Sequence, residues 1–92
     1  MKIKPVYVTT EQANFCMKHG FKSLPEQWQV IEWLEMNHQK YVYAFRYNGT
    51  WQYKIDAEHG CDYFSTGEGF KSKQEAYSEA FDYTFKELIN YH

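Results

Sequence analysis

Apolar residues along the chain recur first at helical spacing, then alternate, then return to helical spacing. Residues 1–8, with Pro5 among apolar and basic neighbours, read as an extended arm or short edge strand. Thr9-Thr10-Glu11-Gln12 makes a capping box, Thr9 as cap and Gln12 three residues on. It predicts a short helix through Phe15, Cys16 and His19, stopped at Gly20. A second box, Ser23 to Glu26, predicts another helix with Pro25 in its first turn, where a missing N–H costs nothing. Trp28, Ile31 and Leu34 set its apolar stripe, Val30 and Trp33 widen it, and it should end near Asn37 or His38. Tyr41, Tyr43, Phe45 and then Trp51, Tyr53, Ile55 alternate with other residues around Asn48-Gly49, a strong β-hairpin signal. Residues 56–60 read as loop, Cys61 to Thr66 as a short third strand, and Gly67-Glu68-Gly69 as its break. Ser72 to Glu75 is a third box, opening the longest helix, with Tyr77, Ala80, Phe81, Thr84, Phe85 and Leu88 on one stripe.

The hairpin admits two registers. A two-residue turn at Asn48-Gly49 pairs Arg46 with Trp51 and Ala44 with Tyr53, leaving the first strand's rings on a face with Gln52, Lys54 and Asp56. A three-residue turn, Tyr47-Asn48-Gly49, pairs Phe45 with Trp51, Tyr43 with Tyr53 and Tyr41 with Ile55. The opposite face is then Val42, Ala44, Arg46, Thr50, Gln52 and Lys54. Turn chemistry allows both. Burying all six large groups together gains about 1.5–3 kcal/mol each, so burial favours the three-residue turn, with the rings as core beneath the helices.

Composition sharpens this picture. At 92 residues the chain reads as one domain, 1–92, with a thin core. Aromatics are 21% of it, led by nine Tyr and seven Phe, and they stand in for scarce aliphatics. Tyr hydroxyls need water or a partner, so several half-buried positions are expected. A formal charge of −2 is a poor electrostatic footprint for nucleic acid or anionic lipid. MKIKPVYVTT lacks an apolar h-region and no run reaches the ~18 residues of a membrane span. A soluble, cytoplasmic protein with free thiols is expected.

Candidate chemistry is sparse. Asp56-Ala57-Glu58-His59-Gly60-Cys61-Asp62 holds an acid, an imidazole and a thiol, but a Cys/His nucleophile also needs an orienting third group, and a solvated turn explains the stretch more simply. Cys16, Cys61 and the four histidines lack metal-ligand spacing, and Glu32 and Glu35 read as helix surface. There is no P-loop or dinucleotide fingerprint. No catalytic residue, metal ligand or cofactor is expected, and the chain does not read as an enzyme.

Two resemblances attach to particular residues. GEGFKSKQEAYSEAF, Gly67 to Phe81, follows a helix and strands and resembles the end of the double-stranded-RNA-binding domain, whose last helix opens with a lysine cluster aimed at phosphates. Lys71 and Lys73 match that cluster. Gln74 and Tyr77 stand where further lysines belong, and Glu75, Glu79 and Asp82 make the helix acidic. The stretch is also similar to the GF-[ST]-x-x-EA ending of phage-integrase arm-binding domains, which are strongly basic. Separately, TTEQANFCMKHGF, IEWLEMNH, the aromatic hairpin and FKSKQEAYSEAFDYTFKELI together resemble small uncharacterised proteins of phages and conjugative elements of anaerobic gut bacteria. That resemblance implies an accessory protein acting by binding. The expected fold is α+β, a small antiparallel sheet with helices on one face, in the order α-α-β-β-β-α. The expected function is binding of a protein partner, with nucleic acid through Lys71 and Lys73 as the alternative.

Overall fold

A computed structural model describes residues 5–22, 24–57 and 69–89. The fold is α+β and comprises, among the described residues, a two-stranded antiparallel sheet and three helices: α1 (Thr10–Lys18), α2 (Gln27–His38), β1 (Lys40–Tyr47), β2 (Thr50–Ala57) and α3 (Lys73–Tyr83), the last running on into a π-helical turn over Thr84–Ile89. α3 packs on both strands, and α2 packs on β1 and touches α3. The segment expected as a third strand, Cys61 to Thr66, lies outside the described residues.

Local signals explain most boundaries. Thr9 caps α1 through its hydroxyl, which accepts from Gln12 N at 3.2 Å, while Gln12 Oε1 accepts from Thr9 N at 3.1 Å. The helix stops in a Schellman motif: Phe21 N bonds Cys16 O, Gly20 N bonds Met17 O, and Gly20 takes the left-handed φ of 108° that the motif requires. Ser72 Oγ caps α3 by accepting from Glu75 N.

α2 departs from expectation. Its cap is Glu26, not Ser23, and Pro25 precedes the helix instead of opening it. The cause is the N-terminal arm. Gln27 N donates to Val6 O at 2.7 Å and Val8 N to Pro25 O at 3.2 Å, which holds 25–26 extended beside the arm. The stripe is also rotated: Val30 and Leu34 are buried, Ile31 and Trp33 half-buried, and Trp28 is 54% exposed. α2 ends without a loop. Gln39 adopts the left-handed conformation, φ 52°, and β1 starts at the next residue.

The hairpin register is the second correction. Tyr47 pairs with Thr50, Arg46 with Trp51, Phe45 with Gln52, Ala44 with Tyr53 and Val42 with Ile55. Asn48 and Gly49 have φ of 51° and 79°, the two left-handed residues of a type I′ turn whose twist matches the strands. The three-residue turn is therefore wrong, and so is the placing of Phe45 opposite Trp51 in the core. Burial did not decide because the helices supply the other half of the core themselves. Val42, Tyr53 and Ile55 meet Val30, Leu34, Ala80, Phe81 and Phe85, together with Val8, Ala13 and Cys16 from the arm and α1. That layer is complete without the rings of β1.

Two glutamines tie the helices together. Gln12, fully buried, donates from Nε2 to Ser78 O and Asp82 Oδ1, both at 2.8 Å, and lies 3.2 Å from Ser78 Oγ, linking α1 to α3. Gln27 Nε2 donates to Gln74 O at 3.0 Å, linking α2 to α3.

Candidate functional site

The register sends alternate residues of β1 away from the helices. Tyr43, Phe45 and Tyr47 are 47%, 37% and 60% exposed, and Tyr41, half-buried, continues the row. Strand geometry spaces successive rings on this face by about 6.5–7 Å. Across from them on β2 lie Asp56, Lys54, Gln52 and Thr50, so the rings border a polar strip. Lys54 Nζ sits 3.5 Å from Asp56 Oδ1, a partly exposed ion pair that contributes little to stability. Thr50 Oγ1 donates to Tyr47 O at 3.2 Å and braces the turn.

The sheet edges differ. A two-residue turn makes Tyr47–Thr50 a mutually bonded pair, so the amides and carbonyls of Val42, Ala44 and Arg46 point outward from β1, as those of Trp51 do from β2. On the β2 side Trp51 exchanges two bonds with Phe70, at 3.0 and 3.1 Å. On the β1 side no backbone bond is made among the described residues. An aromatic row beside a strand edge whose Val42, Ala44 and Arg46 make no outward backbone bond among the described residues is equipped to hold an extended segment of another chain.

Lys71 and Lys73 are both exposed at the start of α3. The Lys71 N–H donates to Glu75 Oε2 at 3.3 Å, so an acid stands within the lysine pair's own turn. Of the acid–imidazole–thiol stretch, residues 58–62 lie outside the described residues, and Asp56 belongs to β2. Among the described residues no group of three or more His, Cys, Asp or Glu is arranged to hold a metal ion. No helix there is long and apolar enough to cross a membrane.

Two features were not legible beforehand. The ends of α1 and α2 carry an aromatic cluster in which Phe15 stacks on Phe85 at 4.3 Å and on His19 at 4.4 Å, while Trp33 meets His38 edge-on at 4.7 Å. Burial, with the nearby positive charges of His19 and Lys40, pushes the His38 pKa down. The second feature is a groove between the first turns of α2 and α3, walled by Trp28, Ile31 and Tyr77. Helical spacing alone had assigned Trp28 to the core.

No family model matches the chain, and no curated protein or solved structure matches it.

Proposed function

We propose that the chain is a small interaction module, not an enzyme, that docks an extended segment of a protein partner along β1. The reading rests on the row Tyr41, Tyr43, Phe45 and Tyr47, which the fold leaves outside a core that is complete without it. Holding large rings in water gives up burial worth about 1.5–3 kcal/mol per side chain, and a contiguous exposed apolar patch marks an interaction surface. The outward backbone groups of Val42, Ala44 and Arg46, which make no bond among the described residues, add main-chain bonding to the ring contacts. A cytoplasmic accessory protein of a mobile element fits this role. Nucleic acid is the second choice, because Lys71 and Lys73 share their turn with Glu75 and a net charge of −2 offers phosphates few cationic contacts.

Photo-crosslinking tests it. A benzoylphenylalanine at Phe45, incubated with extract of the source cells, should give a protease-sensitive, nuclease-resistant adduct. The same group at Glu35, away from the hairpin, should give none, and Tyr43→Lys with Tyr47→Lys should abolish the adduct without lowering the melting temperature. A nuclease-sensitive adduct would favour the nucleic-acid reading. Unfolding of the lysine variant would return the rings to the core and end the proposal.

A further inference from the structure

We infer that the groove between α2 and α3 binds a small planar aromatic carboxylate, at a site sharing no residue with the ring face of the hairpin. Its volume is about 450 Å³, within the roughly 300–1,000 Å³ typical of small-molecule pockets. Three elements wall it: Pro5 and Val6 from the arm, Trp28 and Ile31 from α2, and Tyr77 with Lys73 from α3.

The walls are pinned, and one residue pins them. Gln27 donates its backbone N–H to Val6 O at 2.7 Å and its side-chain Nε2 to Gln74 O at 3.0 Å. Arm, α2 and α3 are thereby held at fixed separation before anything enters, so a ligand bears little ordering cost. Trp28, more than half exposed, and Tyr77, half-buried, both line this concavity. A flat ring entering the groove covers both aromatic side chains and the Ile31 and Val6 side chains with them.

Charge selects the polar end of the ligand. Lys73 is exposed and has no ion-pair partner among the described residues. The groove's acid, Glu26, is the cap of α2, and its carboxylate is offset there by the first-turn amides of the capping box. The start of α3 is already served, by Ser72 Oγ on Glu75 N and by the Glu75 carboxylate on Lys71 N. The ammonium of Lys73 is thus the group left to meet a ligand, and it calls for one anionic oxygen group on an apolar, planar body.

The test is titration of the full chain with 2-naphthoate, followed by calorimetry and by amide and indole NMR shifts. Saturable one-site binding is expected, with shifts at the Trp28 indole and at Tyr77 and none at Tyr43 or Phe45. 2-Naphthalenemethanol, which lacks the charge, and the Lys73→Gln variant with 2-naphthoate should each bind roughly fivefold or more weakly, as expected for losing a charge-assisted contact. Lys73 is exposed, so its variant should melt with the parent. No saturation up to about 5 mM, an affinity too weak for a formed site, would overturn the inference. So would equal affinity for the alcohol and the acid, or shifts confined to the hairpin.

Discussion

Replacing Gln12 by Glu exchanges a single heavy atom, the amide nitrogen for an oxygen, and should cost more than replacing it by Leu. The amide Nε2 has two hydrogens, and the two shortest contacts are to Ser78 O and Asp82 Oδ1, each 2.8 Å. A hydrogen bond contributes about 1 kcal/mol net and one to a charged group about 1.5–3, so Gln12→Leu should lose roughly 2–4 kcal/mol, since Asp82 is half-buried and regains some water. At about 0.05–0.15 kcal/mol per residue the whole domain is stable by roughly 5–14 kcal/mol, so this one side chain carries a large share. Gln12→Glu keeps the shape but turns a donor into an acceptor. Above its own pKa the new carboxylate faces a carbonyl and a second carboxylate, a repulsion of about 4 kcal/mol at 4 Å with an effective dielectric near 20. Near pH 4 the protonated acid can donate to Asp82 or Ser78, and the deficit relative to the parent should shrink. Urea melts of parent, Gln12→Leu and Gln12→Glu at pH 7.5 and pH 4 separate these cases. A Gln12→Glu protein within about 0.5 kcal/mol of the parent at pH 7.5, the range of an ordinary surface change, would refute the bridge between α1 and α3.

Three other outcomes are expected. Gln39→Gly should stabilise the chain by about 0.5–1 kcal/mol in a denaturant melt, because relief of the left-handed strain exceeds the added unfolded-state entropy. His38 holds a proton less readily in the folded chain, so the unfolded state takes up more protons as pH falls. Its contribution is therefore complete above the ordinary histidine pKa and lost as pH drops through the lowered one. Thermal melts between pH 7 and pH 5.5 should decline, less steeply in His38→Gln, while an unchanged slope would exclude His38 as the cause. Burial pushes the Cys16 thiol up to about 11, so in a Cys61→Ser background a thiol reagent at pH 8 should label Cys16 only after denaturation.

Signals confined to one turn of chain were legible in the sequence. Thr9 with Gln12, Gly20 and Ser72 each act on backbone groups within a few residues, and each stands where the pattern put it. Asn48-Gly49 located the hairpin, but its register depended on what lay on the far side of the sheet. Six apolar groups on one face made an attractive core only while the helices were ignored. With Val30, Leu34, Phe81 and Phe85 in place, Val42, Tyr53 and Ile55 suffice. The start of α2 was misread for a related reason, since an arm more than fifteen residues upstream takes the Pro25 carbonyl. Gln12 is legible as half of a capping box, but nothing local marks a glutamine that also reaches 66 residues ahead, or Gln27 as reaching 47 ahead, for a partner. The ring face was visible as an alternative and became the site once turn geometry chose between the two.

The one-residue joint at Gln39 makes α2 and β1 a single lever. Trp28 and Ile31 stand near the start of the helix, and Tyr43, Phe45 and Tyr47 project from the strand that the helix becomes. A longer connection would let either end settle by itself. Here a turn of α2 about its axis carries Lys40 and Tyr41 along, with only one residue's torsions to absorb it. Were an occupant of the groove to prefer one helix orientation, the joint would pass that preference to the rings, and thermodynamic reciprocity would require the rings to return it in equal measure.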